Sequence, residues 1–129
     1  MDNQFSKEVT KGLVRTLKND TIVQAVNELR DVCFTASLDA GWHTNIETGE
    51  LIDRNKAEMI CLMHSELSEA MEGVRKNLMD DKLPHRPMVE AEMADCVIRI
   101  MDYCGRFGHD IGGAIMEKIQ FNKKFLSNS

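Results

Sequence analysis

The sequence predicts an all-α protein, a helical bundle of four to five helices in a single domain that spans residues 1–129. Apolar residues recur at three- and four-residue spacing along most of the chain, which is the periodicity of amphipathic helices. Two prolines, 5% aromatic residues and nine methionines favour helices over a β-sandwich. A hydrophobic fraction of 43% and a charged fraction of 29% exclude general disorder.

Two helices are predicted before residue 41. The first covers residues 5–17, within an N-terminal helical extension of residues 1–20, and carries an apolar residue at every fourth position: Phe5, Val9, Leu13 and Leu17. Asp20 or Thr21 is the predicted cap of the second helix, which ends near Gly41. The apolar stripe of this second helix is Ile22, Val26, Leu29, Cys33 and Ala36. Residues 40–54 lack a helical period and contain two glycines, so they are predicted to form a loop.

The third helix is predicted to begin with a capping box formed by Asn55 and Glu58. Its predicted core stripe is Ile60, Met63, Leu67, Met71 and Val74. Residues 79–87 interrupt the pattern with both prolines of the chain, and a fourth helix then continues to about Phe107.

The fourth helix is apolar around much of its circumference. Its predicted stripe is Met93, Val97, Ile100, Met101 and Cys104, and it is widened by Cys96, Ile98 and Tyr103. Such a helix is usually central or lies in a subunit interface, so we expect a homodimer or a homotetramer. Gly108 is predicted to end this helix and Asp110 to cap a last one, which Ile111, Ile115 and Ile119 direct inward.

Composition also limits the partners. The formal net charge of −5 argues against nucleic acid as the main partner, because duplex binding needs a basic face. No apolar stretch approaches the roughly 20 residues that span a bilayer, and the N-terminus lacks a signal-peptide core, so we expect a cytoplasmic protein without membrane partners. The four cysteines form no CxxC pair and are expected to be buried reduced thiols: Cys33, Cys61, Cys96 and Cys104.

Four carboxylates stand in two helix-spaced pairs. Glu66 and Glu69 lie three positions apart on the third helix, and Glu92 and Asp95 lie three positions apart on the fourth. If the two helices pack together, four anions meet, and their repulsion requires a cation. An all-carboxylate site suits Mg²⁺, with Mn²⁺ as a possible substitute. The alternative is that these are ordinary exposed acids, with Asp95 paired to Arg99 one turn later.

Three further polar or aromatic side chains have open interpretations. Lys118 and Asn122 lie one turn apart on an apolar face of the last helix, where the lysine extends its charge to solvent, pairs with one of the acids or holds an anionic ligand. Trp42, the only tryptophan, lies in the loop and is either a core residue or a platform for a nucleobase.

Phosphate loops, GxGxxG turns, HExxH pairs and GxSxG elbows do not occur in the sequence.

The two carboxylate pairs and their surroundings resemble one enzyme family. Glu66-x-x-Glu69, 22 intervening residues and Glu92-x-x-Asp95 resemble the signature of the all-α nucleoside triphosphate pyrophosphohydrolases, which include MazG, dimeric dUTPases and dCTP pyrophosphatases. The words HSELSEAMEGVRK and ADCVIRIMDYCGRFGHDI are similar to small MazG-like proteins, and IMEKIQFN resembles the K-x-x-x-N segment of the family. The resemblance covers residues 20–124.

This resemblance implies hydrolysis of a nucleoside triphosphate to the monophosphate and pyrophosphate. It implies Mg²⁺ held by the four carboxylates, with phosphate bound by Lys118 and the nucleoside contacted by Asn122. We add Trp42 and Arg99 as predicted substrate-binding residues, and Glu69 as the general base. Where similar proteins continue with an arginine after the Asn, this chain has KKFLSNS, so that Lys123 or Lys124 replaces the arginine or the phosphate is held more weakly.

Two other functions remain open at this stage. The first is a non-catalytic helical module with a regulatory or assembly role, in which the acids only solvate the surface. The second is a different di-metal phosphohydrolase, which would release no pyrophosphate from a nucleoside triphosphate.

Overall fold

The computed structural model describes residues 3–127, with the side chains of residues 3–13 and 18–124. This part of the chain forms four helices, α1 (Asn3–Asp39), α2 (Lys56–Lys76), α3 (Met88–Phe107) and α4 (Ile111–Ser127). Extended pairing among the described residues is limited to two isolated bridges, Thr44 with Leu51 and Met79 with Pro87. The predicted all-α class is therefore confirmed. No helix within residues 3–127 has both the length and the apolar character that crossing a bilayer requires.

The division of α1 into two helices was wrong. The predicted helix over residues 5–17 and the one that follows it are a single continuous helix of 37 residues. Residues 18–21, with the sequence KNDT, contain neither Gly nor Pro, and each costs a helix only some tenths of a kcal/mol relative to Ala. Asp20 and Thr21 therefore continue the helix instead of capping a new one.

By its internal contacts the chain forms two compact units. One is Arg30–Gly108, and the other combines Met1–Leu29 with His109–Ser129, of which residues 3–29 and 109–127 are described.

In the unit of residues 30–108, α2 and α3 pack against each other. The buried residues of α2 are Met59, Glu66, Ala70 and Gly73. A side chain at Gly73 would place its Cβ only 2.9 Å from Cβ of Met88, so the glycine permits this close approach. Ala70 and Gly73 are thus the small residues of the buried face of α2, which also includes Met59 and Glu66.

The predicted core stripe of α2 was wrong. Met63 is half-buried, and the other members are 42–63% exposed: Ile60, Leu67, Met71 and Val74. They lie one residue, or roughly 100°, around the helix from the face that is buried. The prediction placed the large apolar side chains in the core, whereas the close packing of α2 against α3 buries Ala70 and Gly73.

The stripe on α3 was partly right. The buried residues are Ala91, Glu92, Cys96, Met101, Asp102 and Cys104. Ile100 and Tyr103 are half-buried, but Met93, Val97 and Ile98 are exposed, contrary to expectation. Residues 30–39 of α1 reach α3 at Gly105, where an added Cβ would overlap Cβ of Phe34. Two acids, Glu92 and Asp102, are thus buried on α3 although they lie outside the predicted apolar stripe.

The start of α2 and the end of α3 follow the sequence signals. Asn55 Oδ1 accepts a hydrogen bond from the backbone N–H of Glu58 at 3.0 Å, so the predicted cap of α2 is confirmed. The loop of residues 40–54 is also confirmed, and its turn is closed by the bridge between Thr44 and Leu51. Gly108 adopts a left-handed conformation with φ of 71° directly after α3, as a terminating glycine should.

In the other unit, Asp110 caps α4 as predicted, with Oδ1 accepting from the backbone N–H of Gly113 at 2.9 Å. Asn27 of α1 joins this cap, because its Nδ2 donates to Asp110 Oδ1 and its Oδ1 accepts from the N–H of Gly112. Ile111 and Ile115 are half-buried, but Ile119 is 41% exposed, so the inward face is shorter than predicted.

The apolar stripes of α1 are mostly solvent-exposed in the structure. Of the first stripe, Phe5, Val9 and Leu13 are exposed, and Leu17 lies outside the described side chains. Of the second stripe, Cys33 is buried and Val26 half-buried, whereas Ile22, Leu29 and Ala36 are exposed.

The cysteines are all free, as expected, but they differ in burial. Cys33, Cys96 and Cys104 are buried, and Cys61 is exposed, which corrects the prediction for that residue. Burial raises the pKa of the Cys33 thiol, and the nearby Asp102 carboxylate raises it further. Burial likewise raises the pKa of Cys104, so both are protonated thiols at neutral pH.

Candidate metal centre

Three of the four predicted carboxylates meet between α2 and α3. One oxygen from each of Glu66, Glu69 and Glu92 lies within 4.8 Å of the others. Glu66 and Glu92 are buried, and Glu69 is exposed. The three-residue spacing on α2 places two acids on one side of the helix, and the packing of α3 brings the third.

Glu92 is the least satisfied member of this cluster. Its Oε2 atom is buried and has no hydrogen-bond partner among the described residues. The groups beside its carboxyl, Glu66 and Glu69, can only accept hydrogen bonds when they are ionised. Burial, followed by the interactions with Glu66 and then Glu69, raises the pKa of Glu92 to about 8. A proton or a cation is therefore needed at this point to balance the charge.

Asp95 lies outside the close group of three. It is exposed on α3, one turn after Glu92. Partial desolvation raises the pKa of its carboxyl, the charge of Glu66 raises it further, and Arg99 opposes the shift. The charge of Glu66 thus affects the pKa of Asp95, but Asp95 is not part of the group of three carboxylates.

Arg99 connects the cluster to the loop that carries Trp42. Its Nε atom donates to Glu66 Oε1 at 2.7 Å, so Arg99 forms an ion pair between helices and not the pair with Asp95 that the alternative interpretation assumed. The guanidinium carbon of Arg99 lies 5.9 Å from the centroid of the Trp42 ring, within cation–π range. Trp42 is 54% exposed, which excludes the core interpretation of this residue.

Pattern analysis missed a buried residue next to Trp42. His43 is fully buried, and its Nε2 lies 2.8 Å from Oδ1 of Asp102 on α3. Asp102 falls outside the apolar stripe predicted for its helix, and one histidine in a loop carries no periodic signal. The available signal in the sequence was Asp102 itself, an acid between Met101 and Tyr103 on α3.

Lys118 and Asn122 lie on α4, in the unit that comprises residues 1–29 and 109–129. Both side chains are exposed, contrary to their predicted place in a buried face. The Lys118 Nζ atom lies 5.2 Å from the centroid of the Phe121 ring, a cation–π contact within α4. Their predicted roles toward phosphate and nucleoside stay predictions.

No protein-family model, no curated protein and no solved structure matches this chain. The family resemblance therefore rests on the motifs of the sequence and stays a prediction.

Proposed function

We propose that this protein is a Mg²⁺-dependent nucleoside triphosphate pyrophosphohydrolase that converts a nucleoside triphosphate to the monophosphate and pyrophosphate. The observation that carries the proposal is the cluster of Glu66, Glu69 and Glu92, in which a buried carboxylate oxygen has no hydrogen-bond donor. Carboxylates alone make up the donor set, and this set suits a hard divalent cation.

The cluster fits such an ion by charge as well as by donor type. Glu66 is already paired with Arg99, which leaves the charges of Glu69 and Glu92 to be balanced. Glu66, Glu69 and Glu92 would hold Mg²⁺ or Mn²⁺, and Asp95, one turn along α3, would complete the set. When bound, the ion would neutralise the phosphate charge and lower the pKa of an attacking water.

The remaining residues have separate roles in this proposal. Glu69, the exposed member of the cluster, accepts the proton of the attacking water as general base. Arg99 faces the phosphates beside Glu66, and the exposed ring of Trp42 offers a flat surface to the base. Lys118 and Asn122 would bind phosphate and nucleoside as the family resemblance implies.

A panel of ribo- and deoxyribonucleoside triphosphates with Mg²⁺ tests the proposal. We expect equal amounts of monophosphate and pyrophosphate, and no reaction when EDTA removes the metal. Release of orthophosphate without pyrophosphate would instead favour a different di-metal phosphohydrolase. Absence of any turnover, together with no Mg²⁺ binding by calorimetry, would favour a non-catalytic helical module.

The expected assembly is a homodimer or homotetramer. The exposed apolar residues of α2 support this part of the proposal, because a second copy could cover them.

A further inference from the structure

The most buried large side chain among the described residues is a histidine in a mainly exposed loop. His43 has an exposed fraction of 0%, although its neighbour Trp42 and the later loop residue Ile46 are both largely exposed. The imidazole lies edge-on to Phe34, with ring centroids 5.3 Å apart. Its Nε2 donates to Oδ1 of Asp102, since a carboxylate can only accept.

This buried pair is energetically demanding. Asp102 is itself buried, and His43 Nδ1 has no hydrogen-bond partner among the described residues. Burying two polar side chains removes their hydration, and the one hydrogen bond between them offsets only part of that cost. The pair therefore asks for an explanation other than stability.

The pair ties the loop to α3, and a second contact repeats the connection one turn further along. Arg106 donates from Nη2 to the backbone oxygen of Ile52 at 2.6 Å. The N–H of Ile52 in turn donates to the backbone oxygen of His43 at 2.9 Å. Asp102 and Arg106 are four residues apart on α3 and therefore lie on one side of it. This side of the helix contacts the loop at both His43 and Ile52.

The residues that join the loop to α3 lie next to two residues of the candidate site, Trp42 and Arg99. Trp42 precedes His43 directly, and Arg99 precedes Asp102 by one helical turn. Trp42 and Arg99 are the two residues that meet beside Glu66, with 5.9 Å between ring centroid and guanidinium carbon. A shift of His43 relative to Asp102 would therefore change the position of the Trp42 ring relative to Arg99.

We propose that His43 and Asp102 are positioning residues that hold the Trp42 ring beside Arg99, ready to receive the planar base of a nucleotide. This inference rests on the proposed function for its ligand. Neither residue touches the reacting atoms in this arrangement, so their effect acts through Trp42. Preorganisation of an exposed aromatic ring lowers the cost of ordering it when a ligand binds.

The test uses Trp42 as the single tryptophan of the chain, so that its fluorescence reports this position alone. The informative variant is the double substitution His43→Leu with Asp102→Leu, because it removes the hydrogen bond without leaving one partner buried and unpaired. His43→Gln is the conservative variant, since its amide can still donate. His85→Gln, at an exposed position in the turn before α3, is the matched control.

We expect the double variant to fold and to change the emission of Trp42 in the metal-free, nucleotide-free protein. Its emission should move toward that of Arg99→Met, which removes the cation from the ring. Quenching by acrylamide should rise, and His43→Gln should lie between the double variant and the wild type. His85→Gln should match the wild type. Unchanged emission and quenching in the folded double variant would overturn the positioning role.

Kinetics separate positioning from a purely structural role. With the best substrate of the nucleoside triphosphate panel, we expect KM to rise about tenfold in the double variant, since base stacking is worth about that factor or more. The value of kcat should change much less. A lower melting temperature with KM and emission unchanged would mark a structural pair and overturn the proposal. A wild type that hydrolyses no nucleotide would refute the proposed function alone, and the emission comparison, which needs no substrate, would still decide the positioning role.

Discussion

At the scale of single residues, Glu92 shows how burial and like charge favour the binding of a proton or a cation. Its carboxyl is buried beside Glu66 and Glu69, and its pKa is raised to about 8 from an ordinary value of 4.5. Between these two pH values the folded protein binds a proton that the unfolded chain has released. A metal ion that takes this position must displace the proton.

The stability of the metal-free protein should therefore depend on pH through Glu92. The pKa of Glu92 is higher in the folded protein than in the unfolded chain, so protonation of this carboxyl stabilises the fold. The contribution is complete below about pH 4.5 and is lost as the pH rises to about 8. In EDTA, the melting temperature of the wild type should fall between pH 5 and pH 8 relative to that of Glu92→Gln. Glu47→Gln, in the exposed loop, should follow the wild type. Parallel curves for wild type and Glu92→Gln would contradict this account.

Carboxamide variants test the cluster as a metal site. We expect Glu66→Gln, Glu69→Gln, Glu92→Gln and Asp95→Asn each to reduce Mg²⁺-dependent turnover by roughly 100-fold or more, since metal stabilisation of phosphate charge is worth several kcal/mol. Without metal, Glu69→Gln and Glu92→Gln should melt at the wild-type temperature or above, because one repulsive charge is gone.

Metal binding by these variants supplies the control. At tenfold excess over its dissociation constant, Mg²⁺ should stabilise the wild type by about 1.4 kcal/mol, and this gain should be lost in the variants. Wild-type turnover in any two of them would exclude the cluster as the metal site.

At the scale of elements, close contacts between helices depend on residues without side chains. A Cβ at Gly105 of α3 would overlap Phe34 and come within 3.3 Å of the backbone oxygen of Arg30. Gly105→Ala should therefore lower the free energy of unfolding by roughly 1–3 kcal/mol through overpacking. Chemical denaturation measures the change.

Gly12 provides the matched control for that substitution. It lies inside α1, and a Cβ built there meets nothing within 4 Å. Gly12→Ala should stabilise the protein by up to about 1 kcal/mol, because alanine is the better helix former. Equal effects of the two substitutions would show that α3 does not approach α1 at Gly105.

The last helix carries a prediction about ligand recognition. Lys118→Met should keep the fold, because the lysine is exposed, and should weaken nucleotide binding if its charge faces phosphate. Asn122→Leu should change preference among bases or sugars more than it changes Mg²⁺ affinity. Lys7→Met, on the exposed part of α1, is the control. Kinetics and thermal melts on these variants decide, since lower stability with unchanged kinetics would remove both residues from the site.

At the scale of the whole molecule, the exposed apolar residues of α2 are where we expect the predicted self-association to occur. Leu67, Met71 and Val74 follow one another at four- and three-residue spacing and are 43%, 61% and 63% exposed. Large contiguous apolar patches on a surface mark interaction sites, and these three residues lie along one side of α2. We expect the wild type to sediment as a dimer or tetramer.

Charge on this stripe should weaken the assembly. Leu67→Lys combined with Val74→Lys should shift sedimentation toward the monomer, because an unpaired charge in an interface costs several kcal/mol. Glu47→Lys, which changes an exposed loop position, should leave the oligomer intact. A wild type that sediments as a monomer at all concentrations would refute the predicted assembly.

The sequence by itself determined the helical class, the start of α2, the end of α3, the start of α4 and the pairing of the carboxylates along each helix. These features are local: Asn55, Gly108 and Asp110 act within one turn of their own positions. The spacing of Glu66 and Glu69 likewise places both acids on one side of α2 whatever packs against it.

Only the tertiary structure decided which faces are buried and which distant residues meet. Side-chain size pointed to Leu67 and Val74 as core, but α2 packs closely through Ala70 and Gly73, which a hydrophobic pattern undervalues. The pairing of Arg99 with Glu66 and that of His43 with Asp102 join residues 33 and 59 positions apart. Periodicity describes one helix at a time, so contacts between helices and loops leave no regular trace in the sequence.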